Sequence, residues 1–117
     1  MGVGMQIAYF GFAGSAALEA EAGVQLVRLD RFGALISGCH LAIESLRTGN
    51  DRHMYDVRLD LITRSNALKP LPRCVGDDAL EAVRRAFAQA ERELIAWQGE
   101  RGTAKPGAPL RDVRAMR

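Results

Sequence analysis

The hydrophobic pattern is clearest between residues 77 and 97, where apolar side chains recur at spacings of three and four. Such spacing places them on one side of an α-helix. They are Leu80, Val83, Phe87, Ala90, Leu94 and Trp97. Asp77 or Asp78 can cap the first turn, because a carboxylate accepts the free backbone N–H groups there. Gly99 and Gly102 favour an end soon after the last apolar residue. The pattern predicts a helix that covers an apolar surface.

A second apolar stripe predicts a helix from an N-cap at Ser15 to about Arg31. Its members are Leu18, Ala22, Leu26, Leu29 and Phe32. Acidic residues lie in its early turns and arginines near its end, which suits the helix dipole. Gly23 weakens this helix by roughly 1 kcal/mol relative to alanine. Gly33 is expected to end it.

Four other segments predict β-strands by their composition and alternation. They are residues 6–12, 36–46, 54–64 and 68–75. In the third segment Val57 and Leu59 alternate with Asp56, Arg58 and Asp60, which is typical of an antiparallel sheet covered on one side. Two prolines in the fourth segment predict an edge strand or an irregular one.

The element order is therefore β-α-β-β-β-α, an α+β fold. We expect the first two strands to be parallel, with a right-handed crossover. The remaining strands form a meander, which gives a four-stranded sheet with both helices on one face. The expected organisation is a flexible leader at residues 1–4, one domain at 5–98 and a disordered basic tail at 99–117.

The net charge of +2 is unevenly distributed. Residues 1–98 carry 11 Lys and Arg against 12 Asp and Glu, whereas residues 99–117 carry five against two. A near-neutral body is unusual for a protein that binds nucleic acid through bulk charge. No apolar stretch is long enough to span a bilayer, and no signal peptide is evident. We expect a cytoplasmic protein with no membrane or DNA partner.

Catalytic chemistry is not indicated by the residue pattern. His40 and His53 are the only histidines, and neither accompanies a recognisable nucleophile motif. Cys39 and His40 are adjacent on a strand and so point to opposite faces. The cysteines and histidines lack the short spacings of metal ligands. We expect no enzyme activity, no catalytic residue, no cofactor and no metal site.

Arginines are the strongest candidates for a binding function, because the guanidinium group suits bidentate phosphate contact. The candidate RNA-binding residues are Arg28 and Arg31 on the first helix, Arg84, Arg85 and Arg92 on the second, and Arg47 and Arg52 in a polar turn. The alternative interpretation is an ordinary solvated helix face, with Glu81 and Arg85 as an i,i+4 pair, and an ordinary hairpin tip. A protein–protein module is the other function considered. It would use the edge strand at 68–75, which also offers a route to a homo-oligomer.

Several stretches resemble the ribosome hibernation-promoting factor family, which includes ribosome-associated inhibitor A. They are the strand Cys39–Glu44, the polar loop ending in Met54 and Tyr55, the strand Asp56–Leu61, Leu29 with Phe32, and a last helix with Asp78, Ala82, Val83, Ala86, Phe87, Ala90 and Leu94. The likeness covers residues 5–98 and consists of pattern and order.

The resemblance implies a β-α-β-β-β-α domain akin to double-stranded RNA-binding folds. It implies binding to rRNA of the small ribosomal subunit near the decoding centre, where tRNA and mRNA sit, and silencing of translation under stress. In the family, basic side chains of the two helices meet the rRNA, which points here to Arg28, Arg31, Arg84, Arg85 and Arg92. The helices of this chain are less basic than is usual in the family. Without the further C-terminal domain of the long form, this chain is expected to act as a short form.

Overall fold

The computed structural model describes residues 2–49 and 52–103, with side chains described as far as residue 100. The elements in chain order are β1 (Gly4–Phe10), α1 (Ala16–Leu29), a 3-10 turn (Asp30–Phe32), β2 (Ile36–Arg47), β3 (His53–Thr63), β4 (Leu68–Pro70), β5 (Cys74–Gly76) and α2 (Ala79–Thr103). The predicted α+β class and the order of elements are confirmed, with one strand divided.

The sheet has β1 and β2 parallel, β2 and β3 antiparallel, and both β4 and β5 antiparallel to β3. The single strand predicted at residues 68–75 is therefore two strands of three residues. Proline has no N–H to donate, so Pro70 and Pro72 interrupt the ladder there. Leu71 lies between them, is buried, and donates its N–H to the Leu59 carbonyl at 3.2 Å. The likeness to double-stranded RNA-binding folds remains a prediction.

Helix α1 begins as the sequence predicts. The Ser15 side chain accepts the N–H of Leu18 at 3.1 Å, which satisfies one free donor of the first turn. The regular helix ends at Leu29, earlier than expected, and the chain tightens into the 3-10 turn before Gly33. This turn carries Phe32, which is 1% exposed, into the core.

Helix α2 also begins at its predicted cap, but it ends later than predicted. Asp78 Oδ1 accepts the N–H groups of Leu80 and Glu81 at 3.0 and 3.3 Å. Of the two glycines expected to favour the end, Gly99 lies inside the helix, which continues to Thr103, directly after Gly102. Glycine in a helix interior costs about 1 kcal/mol but does not by itself end the helix. The expected tail thus starts inside α2, and its residues 104–117 lie outside the described residues.

The N-terminal boundary of the domain lies before the expected residue 5. Val3 is buried, and its backbone N–H donates to Asp30 Oδ1 at 3.0 Å. Gly4 already pairs with Gly38 in the sheet. The segment expected as a flexible leader is therefore tied to the domain from Val3 onward, because this contact fixes the chain just before β1.

The core lies between the two helices and one face of the sheet. Its buried side chains include Leu41, Ile43, Val57, Leu59 and Leu61 from the sheet, and Leu18, Ala22, Leu29, Val83, Phe87, Ala90 and Leu94 from the helices. These are largely the stripes predicted from the sequence, while Leu26, Leu80 and Trp97 are partly buried against the same core. Alternation along the strands leaves the other sheet face to Ala8, His40 and Arg58.

The two free cysteines should differ sharply in reactivity. Burial raises the pKa of the Cys39 thiol to about 12, whereas Cys74 is half-buried at the start of β5. Because the thiolate is the reactive form, a maleimide should modify Cys74 rapidly in the native protein and Cys39 only after unfolding. Mass spectrometry of each peptide during a labelling time course measures this. Equal native rates at both cysteines would contradict the burial of Cys39.

Candidate nucleic-acid interface

The two helices meet along a seam that is crossed by ion pairs. Arg28 and Arg31, at the end of α1, both reach Glu91 of α2 at 3.1 Å. Arg84 of α2 reaches Glu21 of α1 at 3.2 Å. We call Arg28, Arg31 and Arg84 the seam arginines. Three of the predicted site residues are thus brought together, and each is held by a carboxylate of the opposite helix.

The seam arginines remain open to solvent, whereas their partners are largely covered. The arginine side chains are 54–58% exposed, and the Glu21 and Glu91 side chains are 17% and 19% exposed. The Arg31 guanidinium also lies 4.6 Å from the centroid of the Phe32 ring, in a cation–π contact. Each guanidinium has five N–H donors, so these contacts leave others directed toward solvent.

The remaining two helix arginines are not paired with a carboxylate in the described structure. Arg92 donates to the Gln89 side-chain oxygen at 2.7 Å. Arg85 donates to the Val75 carbonyl at 3.1 Å and lies against Gly76, so it is directed toward β5. The i,i+4 pair of Arg85 with Glu81, which the sequence offered as an alternative, is therefore not the contact that Arg85 makes.

The helix layer carries a net negative charge, although all five candidate helix arginines belong to it. Residues 16–32 and 79–100 carry five arginines and seven acidic residues, a net charge of −2. The five arginines therefore do not form an uninterrupted positive strip. Glu21 and Glu91 sit among them, and sequence reasoning missed both, because the seam pairs join residues 60 to 63 positions apart.

The neighbours of the Glu21 carboxyl favour its ionised form. Hydrogen bonds from Gln25 and from Arg84 lower its pKa below the ordinary value. Because the pKa of Glu21 is lower in the folded than in the unfolded chain, its ionised carboxylate stabilises the fold at pH values above the unfolded pKa. This stabilisation is lost as the pH falls through the lower, folded pKa. At neutral pH the Glu21 carboxylate is therefore ionised and can pair with Arg84.

The predicted polar-turn residues lie away from the seam. Arg52 pairs with Asp77, just before α2, at 3.4 Å. Arg47 ends β2 opposite His53. The structure therefore groups Arg52 with the start of α2 rather than with the seam arginines.

The uncovered sheet face carries charges that the sequence predicts to be solvated. Asp56 is instead largely covered: its side chain is 11% exposed and accepts Arg73 at 2.9 Å. A pocket of about 210 Å³ adjoins this pair, lined by Phe10, Ala42, Glu44, Asp56, Arg58 and Arg73. Arg73 lies in the proline-containing segment, where no pattern in the sequence marks a contact to β3.

His40 is exposed on the uncovered sheet face opposite Asp60, and Cys39 is buried, as the strand alternation predicts. Among residues 2–49 and 52–103, no three His, Cys, Asp or Glu side chains are grouped closely enough to hold a metal ion. Nor does any helix in the described part of the chain combine the length and apolar character needed to cross a membrane.

Comparison with known proteins supports the fold. No family model matches the sequence, and no curated protein matches it. A ribosomal subunit interface protein from Coxiella burnetii superposes with a TM-score of 0.61 at 18% identity, over 83% of this chain and 99% of that chain. The N-terminal domain of Thermus thermophilus Protein Y superposes with a TM-score of 0.63 at 14% identity, over the same shares. This chain therefore has the fold of these two proteins across nearly their whole lengths, as the resemblance in the sequence predicts.

Proposed function

We propose that this protein associates with the ribosome and binds rRNA of the small subunit through its helix layer. The observation that carries the proposal is the shared fold, which matches 99% of a protein described as a ribosomal subunit interface protein. The finer part of the proposal is that the bound domain occupies the decoding region, where tRNA and mRNA sit, and thereby silences translation.

The seam arginines can bind phosphate despite their ion pairs. Exposed ion pairs contribute only about 0–1 kcal/mol, so exchanging a carboxylate for an rRNA phosphate has a small cost. The seam contacts also hold the guanidinium groups over the junction of the helices, which reduces the entropy lost on binding. Arg92 donates to the Gln89 amide oxygen, and among residues 2–49 and 52–100 it pairs with no carboxylate that would have to be exchanged.

Because the helix layer is net negative, we expect affinity to come from individual guanidinium–phosphate contacts rather than from a broad positive field. Such contacts release counterions, so binding weakens steeply with salt. Each contact contributes about 0.7–0.9 to the slope of log affinity against log salt. The slope therefore counts the phosphates that the protein neutralises.

Replacing Arg84, Arg85 and Arg92 together with alanine should abolish most ribosome binding and reduce the salt slope by about 2–3. Purified small subunits are pelleted with the protein across a salt series, and the bound fraction is measured. Competition with a tRNA bound to the small subunit then tests occupancy of the decoding region. No co-sedimentation of the wild-type protein even at low salt would contradict ribosome binding.

A matched control variant removes three arginines from the sheet side of the protein instead of from the helices. Arg58, Arg64 and Arg73 lie on or near the sheet, away from the helix layer, and their triple alanine variant also loses three positive charges. We expect this variant to retain more binding than the helix variant. Equal losses would indicate a nonspecific charge effect and would contradict the assignment of the site to the helices. Circular dichroism establishes that both variants fold.

A further inference from the structure

The sheet face that the helices leave uncovered carries exposed apolar side chains. One large apolar residue on each of four strands is 37–56% exposed there, and these are Phe10, Leu46, Leu68 and Val75. Strand pairing sets Leu68 beside Ile62 and Val75 beside Asp56, which places both on this face. Single exposed apolar residues are ordinary, but four on one face indicate an interaction surface.

Two carboxylates on the same face have unused acceptors. Oδ1 of Asp56 and Oδ1 of Asp60 are buried, and neither accepts a hydrogen bond within the part of the chain that the structure describes. Oδ2 of Asp56 accepts Arg73 at 2.9 Å. A buried acceptor without a donor carries a desolvation cost. Both positions therefore favour an additional cationic donor.

These carboxylates lie in two adjoining pockets. The first, of about 210 Å³, is the one beside Asp56 described above, and the second, of about 270 Å³, lies beside Asp60. Both are lined by Phe10, Ala42 and Arg58, so they form one groove, which we call the sheet groove. Its charged lining residues carry a net charge of −1, and they are Glu44, Asp56, Arg58, Asp60 and Arg73.

The segment that follows α2 has the complementary composition. Residues 104–117 carry four basic residues and one acidic residue, a net charge of +3. Each of the three arginines directly follows a large apolar residue. The pairs are Leu110 and Arg111, Val113 and Arg114, and Met116 and Arg117. This segment therefore offers guanidinium donors to the carboxylates and apolar side chains to the exposed apolar residues of the sheet face.

The order of charges also matches. Along β3 the groove presents an acidic, a basic and an acidic residue, namely Asp56, Arg58 and Asp60. The segment presents a basic, an acidic and a basic residue, namely Arg111, Asp112 and Arg114. Complementary charges of this kind fix the register and disfavour other partners. Asp56 and Asp60 are about 14 Å apart along the strand, which two arginines three residues apart can span because each side chain adds its own length.

Helix α2 delivers this segment to the correct end of the sheet. Trp97 and Glu100 line a pocket together with Thr63, the last residue of β3. Asp60 lies three residues earlier on that strand, about 10 Å away. An extended chain spans about 3.3 Å per residue, so residues 104–110 can cover about 23 Å. That length is enough to pass round the end of the sheet and bring Arg111 to the groove.

We propose that residues 110–117 bind the sheet groove of their own chain, with their arginines on Asp56 and Asp60. The covalent link favours this occupant over a separate chain, because a tethered segment reaches an effective concentration in the millimolar range. Arginines bound there are directed away from the helix layer, since the groove and the helices lie on opposite faces of the sheet. The proposal is independent of ribosome binding.

Paramagnetic relaxation enhancement in the full chain tests this contact. A nitroxide is attached at Ala115→Cys in a Cys74→Ser background, where the buried Cys39 stays unmodified. The amide signals around Arg58 should be broadened, whereas those around Arg92, on the exposed side of α2, should not. A mixture of isotope-labelled protein without nitroxide and unlabelled protein with it should show no broadening. Broadening in that mixture would assign the groove to a second copy and would overturn the proposal.

A variant of the groove measures the contribution of the two carboxylates. Asp56→Asn with Asp60→Asn should lower the docking equilibrium constant at least about threefold, because two charged contacts are lost. Glu81→Gln with Glu93→Gln, on α2, is the matched control and should leave the broadening unchanged. Equal losses in the two variants would show a nonspecific attraction and would overturn the proposal.

A variant outside the described fold provides the second measurement. Arg111→Glu with Arg114→Glu changes none of the residues that form the sheet or the helices, and it should abolish the broadening. The proposal would be overturned if broadening persisted in this variant, if it spread over both faces of the protein, or if the sheet face of the wild-type sequence showed none.

Discussion

Replacing Phe87 with alanine should lower the free energy of unfolding by about 3–5 kcal/mol. The ring is 1% exposed and lies where α2 packs on the sheet. Its removal loses the transfer free energy of a large aromatic group and leaves a cavity that the close-packed neighbours fill only in part. Domains of this size have a total stability of about 5–15 kcal/mol, so this change removes a large share of it. Urea denaturation measures the difference.

Phe10→Ala is the matched control for this substitution. The Phe10 side chain is 52% exposed on the uncovered sheet face, so its removal should change stability by about 0.5 kcal/mol or less. Similar losses for both variants would contradict a core confined to the helix side of the sheet. A loss at Phe87 below about 1 kcal/mol would contradict the close packing of α2.

Features determined by neighbouring residues were predictable from the sequence. Ser15 and Asp78 cap their helices because each side chain meets N–H groups only two or three residues ahead. The apolar stripes identified Phe87 and Leu94 as core residues because helical periodicity is local. The parallel pairing of β1 with β2 followed from the helix between them.

Features that depend on distant residues were not predictable in the same way. Glu91 gives no sign in the sequence that it will meet Arg28 and Arg31, some 60 residues earlier. The ion pair of Arg73 with Asp56 depends on the division of the proline-containing segment into β4 and β5, between which Arg73 lies. Gly99 lies inside α2 rather than at its end, because tertiary context, and not residue type alone, decides whether a glycine continues or ends a helix. The RNA-binding role of the arginines stays a prediction, and no pattern in the sequence indicated the two acids, Glu21 and Glu91, that pair with three of them.

Glu21 and Glu91 neutralise part of the positive charge that the seam arginines present. One carboxylate, Glu91, holds two guanidinium groups, so a single substitution changes the availability of both. Glu21, the other acid of the seam, pairs with one seam arginine, Arg84. Glu91 is therefore the most informative position for deciding whether the seam arginines contact RNA.

Glu91→Gln should strengthen binding to small-subunit rRNA by roughly tenfold at moderate salt and steepen the salt dependence by about 1–2. Glutamine preserves the size of the side chain and can still accept hydrogen bonds, but it no longer neutralises Arg28 and Arg31. Stability should change by less than about 1 kcal/mol, because both arginines are more than half exposed. Fluorescence anisotropy with a labelled rRNA fragment across a salt series measures the affinity and the slope.

Glu93→Gln distinguishes the effect of releasing Arg28 and Arg31 from the effect of a change in net charge. Glu93 lies two residues further along α2 and accepts a hydrogen bond from Gln89 rather than from an arginine. Its replacement removes the same negative charge, so we expect a distinctly smaller gain in affinity. Equal gains would show that only the overall charge matters. Weaker binding by Glu91→Gln would show that the carboxylate positions the arginines productively, contrary to the exchange of carboxylate for phosphate proposed at the seam.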